Sequence, residues 1–279
     1  MSSLEKLTTE NVEVCVSEQG GEAPKKREQQ LSFFKRRPRS PTVEIVERDL
    51  KVLEFILDMK FATAGEVYEK FFARSPELPR VGHPTKWTKR RLMQLTRSGF
   101  LKATVGIGVQ ELVYFATFKA FYLLNSFSPS ELRPKPTGGL DLRTFVHDRE
   151  LLFLRMDIER KFGDVSWISD RRLKQGFGQT LGIYGSDVPD AILRLPDLGL
   201  VALELEIALK SRVRYRDKVS RYVSLIRESR TKPDGIKKVI YVCHRKPVLE
   251  IIRDETRVYG GLFEVRLVEP ISSAKGVSA

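Results

Sequence analysis

A segment rich in proline and glycine, Ser128–Leu142, divides the 279-residue chain into two parts whose sequence patterns differ. Before this segment, apolar residues recur mainly at helical spacings. After it, helical stretches alternate with short apolar runs that are typical of strands. Prolines and paired glycines interrupt helices and strands alike, so we expect a domain boundary there. The sequence predicts five segments: a disordered basic arm at 1–42, a domain at 43–127, a linker at 128–142, a second domain at 143–270 and a disordered tail at 271–279.

The charge of the chain is concentrated in three places. The sequence holds 49 Lys and Arg against 36 Asp and Glu, a formal net charge of +13. Three windows, 25–39, 78–110 and 210–232, carry +6, +7 and +7, so the remaining residues are net acidic. Basic charge clustered on an acidic background is typical of proteins that bind a polyanion. Charge that only maintains solubility is the alternative, and it does not account for the clustering.

Composition excludes several classes of protein. A hydrophobic content of 41% is enough for a sizeable core, which excludes a wholly disordered chain. No apolar run is long enough to cross a membrane, and the polar, acidic start is not that of a signal peptide. The two cysteines, Cys15 and Cys243, are too few for a disulfide framework or a structural zinc site. We therefore expect a cytoplasmic protein with no membrane partner.

The first domain has the order helix, helix, helix, hairpin, which predicts a winged helix-turn-helix. Its third helix, about residues 85–98, is expected to turn Trp87, Leu92 and Leu95 toward the core. The opposite face then carries only cations and one methionine, at Lys86, Lys89, Arg90, Met93 and Arg97. A cationic outer face on this helix favours docking into the major groove of duplex DNA. A basic face that only contacts solvent is the alternative.

The second domain predicts the order α-β-β-β-α-β-α-β, an α+β domain with a mixed sheet. Asp190 begins its second strand, and Glu204 and Glu206 lie on its third strand. Period two places both glutamates on one face, and a hairpin would bring Asp190 near Glu204. Clustered carboxylates suit Mg²⁺ or Mn²⁺, which prefer oxygen ligands. The alternative is structural pairing with the basic helix 211–229, on whose apolar stripe Tyr215 and Tyr222 are expected to pack.

Several short motifs occur in an order that resembles a known family. They are Arg90–Leu95 with Ser98–Leu101, His147-Asp148, Pro189-Asp190, Glu204-x-Glu206, and Glu204–Ser211 followed by Arg216–Val219 and Tyr222. The acidic motifs within an α-β-β-β-α-β order resemble the PD-(D/E)xK nuclease superfamily. Their combination with an N-terminal winged helix is similar to the replication-relaxation family, which is associated with plasmid replication and is related to mobilisation relaxases.

This resemblance implies roles for particular residues. It implies that Asp190 and Glu204 hold Mg²⁺ or Mn²⁺, with Glu206 standing where the superfamily places a lysine. Lys210 or Lys218 would then supply the missing cation. For Lys210, a simple phosphate contact is the alternative, and it is the preferred interpretation. Further phosphate contacts are expected from the basic helix at Arg212, Arg214 and Arg216.

Two functions follow as hypotheses. The first is a DNA-binding protein of the replication-relaxation type, acting in plasmid or mobile-element replication or mobilisation and nicking duplex DNA with a bound metal. The second is a non-catalytic DNA-binding regulator or assembly factor with a degenerate nuclease fold. Partners implied besides DNA are a second copy of the chain in a homodimer, or relaxosome and replication proteins.

Overall fold

The protein combines helices and strands, as predicted. The computed structural model describes residues 43–73, 86–106, 111–163, 165–183, 188–196, 198–229 and 234–270. The predicted arm at 1–42 and the predicted tail at 271–279 lie outside these ranges. All described residues belong to one compact unit. The division into two domains at 128–142 stays a prediction.

In the N-terminal part, the described residues form four helices and a small sheet. The elements are α1 (Glu47–Asp58), β1 (Ala62–Thr63), α2 (Ala64–Phe71), α3 (Lys86–Arg97), β2 (Leu101–Val105), β3 (Leu112–Ala116) and α4 (Phe118–Phe127). The three strands are antiparallel in the order β1-β3-β2, with Val105 opposite Leu112 at the far end of the hairpin. The sequence pattern did not predict β1, because two residues have no periodicity.

Local chemistry fixes where these helices begin and end. Thr63 with Glu66 three residues later is the sequence pattern of a capping box, and Thr63 does cap α2. The Glu66 N–H donates to Thr63 Oγ1, and the Thr63 N–H donates to Glu66 Oε2 at 2.6 Å. After α3, Gly99 adopts a φ of 78°, a conformation that disfavours side chains. The Phe100 N–H then donates back to the Leu95 carbonyl oxygen, so the chain leaves the helix directly into β2.

The C-terminal part is built on a five-stranded sheet. Its elements are α5 (Phe145–Phe162), β4 (Ser166–Ser169), α6 (Asp170–Arg172), α7 (Gly178–Thr180), β5 (Ala191–Leu195), β6 (Gly199–Glu206), α8 (Arg212–Ser229), β7 (Ile236–Cys243), α9 (Lys246–Thr256) and β8 (Phe263–Leu267). The sheet order is β4-β5-β6-β7-β8, antiparallel up to β6 and parallel from β6 to β8. The predicted order of the main helices and strands is therefore confirmed.

One segment differs from the prediction. The glycines of residues 176–185 predict a glycine-rich turn, but residues 170–180 wind through successive helical turns. Ser169 Oγ accepts from the Arg172 N–H and begins these turns. Gly176, with a φ of 120°, then changes their direction. The cap at Ser169 and the change of direction at Gly176 thus produce helical turns that hydrophobic periodicity does not reveal.

The two faces of the large sheet bury different partners. Alternate residues of β6, including Leu203 and Leu205, pack with α5 and with the helices of the N-terminal part in one continuous apolar cluster. Ala202 and its neighbours on the other face pack against α8 and α9, where Tyr215 and Val248 are fully buried. Period-two alternation along β6 therefore separates two cores.

Ion pairs accompany the shared apolar cluster. Arg172 donates to Asp58 Oδ1 and Glu54 Oε1 of α1, both at 2.7 Å. Lys60, just after α1, pairs with Asp148 of α5 at 2.6 Å. Two further pairs, Lys70 with Glu159 and Arg160 with Glu69, join α2 to α5. These contacts hold α1 and α2 against the C-terminal part.

Among the helices that the structure describes, none is long and apolar enough to cross a membrane.

Candidate functional site

Three acidic side chains gather at the ends of β5 and β6. Ala191 of β5 lies opposite Leu203 of β6, so the next register position brings Asp190 opposite Glu204. The Leu205 N–H donates to Asp190 Oδ2 at 2.8 Å and fixes this carboxylate at the strand end. The predicted proximity of Asp190 and Glu204 is therefore confirmed.

The glutamates of β6 share a face, are almost fully buried and are neutralised by lysines. Glu204 and Glu206 are each 1% exposed. Lys218 Nζ of α8 lies 2.6 Å from Glu204 Oε2 and 3.7 Å from Glu206 Oε1. Lys210 Nζ lies 2.7 Å from Glu206 Oε2. The sequence placed both lysines near this site, and the structure shows that they form ion pairs with its carboxylates.

Tyr222 completes the surroundings of Glu204. Its hydroxyl donates to Glu204 Oε1, so both oxygens of this carboxylate have a donor. Burial raises the pKa of Glu204 to about 7, with the nearby Asp190 charge adding to the effect and Lys218 opposing it. The predicted packing of Tyr222 on the apolar stripe is confirmed, since its side chain is buried. The hydrogen bond was not foreseen, because periodicity does not reveal the direction of a hydroxyl.

His147 of α5 lies on the other side of Asp190. Its Nε2 is 3.4 Å from Asp190 Oδ2 and 3.2 Å from the Leu205 carbonyl oxygen, and its Nδ1 is 3.8 Å from Asp148 Oδ1. Burial alone would lower the pKa of His147, but the carboxylates of Asp148 and Asp190 outweigh it and raise that pKa to about 10. The imidazolium therefore neutralises Asp190. The sequence singled out His147-Asp148 only through the family resemblance.

The geometry does not support the metal site expected from Asp190, Glu204 and Glu206. In the described part of the chain, no group of three or more His, Cys, Asp or Glu side chains is arranged to hold a metal ion. The donors present are instead protein cations: His147 for Asp190, Lys218 for Glu204, and Lys210 with Lys218 for Glu206. A hard divalent cation would compete with lysines that are already in place. The residues therefore do not fit Mg²⁺ or Mn²⁺ in this arrangement.

Part of the positive charge of helix α8 is neutralised by an acid of α9, which lies outside the acidic cluster. Arg212 and Arg216 both pair with Glu255 of α9, Arg216 Nε at 3.0 Å from Glu255 Oε2. Arg214 is exposed, lies four residues before Lys218, and forms no ion pair with the described residues. It is therefore the arginine of the predicted set that is most available to a phosphate group.

A second candidate surface lies on α3. The predicted DNA-contacting residues Lys86, Lys89, Arg90 and Arg97 are all exposed, and α3 contains no acid. Leu92 and Leu95 are buried, as predicted. Arg91 takes no part in this face, because its guanidinium donates to Asp49 and to the Glu44 carbonyl oxygen.

The prediction that Trp87 faces the core is wrong, since this side chain is 66% exposed. The inward positions of α3 are Thr88, Leu92 and Leu95, at spacings of four and three residues. Trp87 precedes Thr88 and therefore lies ~100° around the helix from the inward face. The prediction grouped Trp87 with Leu92 and Leu95 on the inward face. The register of α3 instead makes Thr88 the first inward residue and places Trp87 at the side of the helix.

Comparison with known proteins identifies no family for this chain. No family model matches the sequence, and neither the curated proteins nor the solved structures give a match. The resemblance to the replication-relaxation family therefore stays a prediction from the sequence.

Proposed function

We propose that this protein binds duplex DNA through α3, as the recognition helix of a winged helix-turn-helix. The order α1-β1-α2-α3-β2-β3, with the hairpin paired to β1, supports this arrangement. The observation that carries the proposal is the exposed cationic face of α3, an acid-free helix whose opposite face is buried. Such a helix presents positive charge to phosphates while its core side fixes its orientation.

We also propose that the C-terminal part is a nuclease-like domain of the PD-(D/E)xK type. The order α5-β4-β5-β6-α8-β7, with β6 and β7 parallel, supports this proposal, as does the position of Asp190 beside Glu204. Together with the winged helix, it favours a DNA-binding protein of the replication-relaxation type that acts on plasmid or mobile-element DNA in the cytoplasm.

The balance of charge in the acidic cluster favours a binding role over a catalytic one. Asp190, Glu204 and Glu206 face His147, Lys218 and Lys210, so three acids meet three cations. A neutralised cluster does not repel the DNA backbone. Exposed Arg214 would add a phosphate contact beside it. The protein is accordingly proposed to be a regulator or assembly factor in DNA replication or mobilisation.

The test replaces two cations of α3. The double variant Lys89→Ala, Arg90→Ala should weaken binding to duplex DNA and reduce the slope of log K against log salt by about two. Fluorescence anisotropy at several salt concentrations measures this slope. The matched control is Lys174→Ala, Arg194→Ala, which removes two exposed cations outside α3 that pair with Asp170 and Asp234. A slope that changes equally in both double variants would contradict the role of α3.

Metal-dependent nicking is the second candidate function, since Asp190 and Glu204 are adjacent. It requires a metal ion to displace the lysines that pair with Glu204 and Glu206 in this arrangement. Supercoiled plasmid incubated with the protein and Mg²⁺ or Mn²⁺ separates the two candidates. A binding factor leaves the plasmid supercoiled, whereas a nickase converts it to the open circular form. Nicking that disappears in Asp190→Ala would establish the second function and replace the first.

A further inference from the structure

The exposed basic face of α3 has an apolar centre. Met93 is 44% exposed and lies four residues from both Lys89 and Arg97 and three from Arg90. Residues three and four apart are neighbours on a helix surface, so cations lie on both sides of Met93 along the helix axis. Met93 is thus the one apolar residue in the middle of the proposed contact face.

Met93 contributes little to the core of the protein. The inward positions of α3 are occupied by Thr88, Leu92 and Leu95, each at most 1% exposed. A single exposed apolar side chain is ordinary on a protein surface and carries no meaning by itself. The position of Met93 is informative, because the surrounding cations would draw a polyanion onto this face and remove water from the thioether.

We propose that Met93 contacts the 5-methyl group of thymine in the major groove. This inference rests on the proposed function, with α3 lying in the groove. The major groove accepts a helix, and the thymine methyl is the apolar group that base pairs present there. An unbranched, flexible methionine side chain can reach it while Lys89, Arg90 and Arg97 contact phosphates on either side.

The experiment compares a short alternating dA-dT duplex with the same duplex in which deoxyuridine replaces every thymidine. Wild-type protein should bind the thymine duplex more tightly, by about fourfold for each contacted methyl group. In Met93→Gln, which keeps the length of the side chain, both duplexes should bind equally. The control Val258→Gln alters an exposed valine in the turn after α9 and should keep the preference for thymine.

The outcomes distinguish a failure of this inference from a failure of the proposed DNA binding on which it rests. Equal binding of the two duplexes by wild-type protein, or a thymine preference that survives Met93→Gln, would overturn the role of Met93. Failure to bind either duplex at low salt would contradict DNA binding itself, and this inference with it. An unchanged melting temperature of Met93→Gln shows that the substitution alters the contact and not the fold.

Discussion

Single residues balance the charge of the acidic cluster. A buried carboxylate is costly unless a cation or donor compensates it, and each acid of this site lies beside at least one cation. Lys218 contacts both Glu204 and Glu206, so one lysine neutralises two buried groups. The pKa of Lys218 is raised because these carboxylates outweigh the effect of its burial. The charged imidazolium of His147 neutralises Asp190 in the same way.

The charge on His147 makes stability depend on pH. Its pKa rises from an ordinary 6.5 to about 10 in the folded protein, so the folded state holds a proton that the unfolded state releases. The resulting stabilisation is complete below pH 6.5 and is lost as the pH rises through about 10. We expect His147→Gln to unfold more easily than wild type at pH 6, by at least ~1.4 kcal/mol, and this difference to shrink toward pH 10.

Urea unfolding followed across this pH range measures the difference, and His244→Gln provides the control. Burial lowers the pKa of His244 below its ordinary 6.5, so above about pH 8 this residue is neutral in both the folded and the unfolded state. Between about pH 8 and pH 10, its substitution should therefore shift the stability curve without changing its shape. A constant difference between His147→Gln and wild type from pH 6 to pH 10 would show that His147 is not held in its charged form.

At the scale of elements, periodicity predicted most of the fold. The amphipathic pattern of residues 145–162 predicts a helix with the bounds that α5 has in the structure. Period two likewise predicts the common face of Glu204 and Glu206. Lys218 lies four residues before Tyr222 on α8, and this spacing also indicates that Lys218 points toward the strands. Contacts between elements were not predictable in this way, because the approach of His147 to Asp190 depends on how α5 packs across the sheet.

The pairing of α1 with α6 supports a prediction on stability. Asp58 is only 3% exposed, and its main partner is Arg172, with Arg155 Nη1 at 3.6 Å. Arg172→Ala should therefore cost about 3 kcal/mol of unfolding free energy, because it leaves a buried acid poorly compensated. The control Arg194→Ala breaks an exposed pair with Asp234 and should cost less than about 1 kcal/mol. Equal losses in urea unfolding would show that burial of Asp58 is unimportant.

At the scale of the whole molecule, the N-terminal part and the sheet share a core. The apolar cluster that contains Leu53 and Leu92 continues into Leu152 of α5 and Leu203 of β6. Neither the charge windows nor the periodicity indicated this continuity, because both describe one segment at a time. The proline- and glycine-rich segment thus connects parts of the chain that also bury apolar surface against each other.

This shared core has a consequence for how the protein would occupy a long DNA molecule. The outer face of α3 and the exposed Arg214 of α8 belong to one compact unit, so the spacing between them is set by the fold. Protection of the backbone against hydroxyl radicals would then appear as two patches separated by a constant number of base pairs.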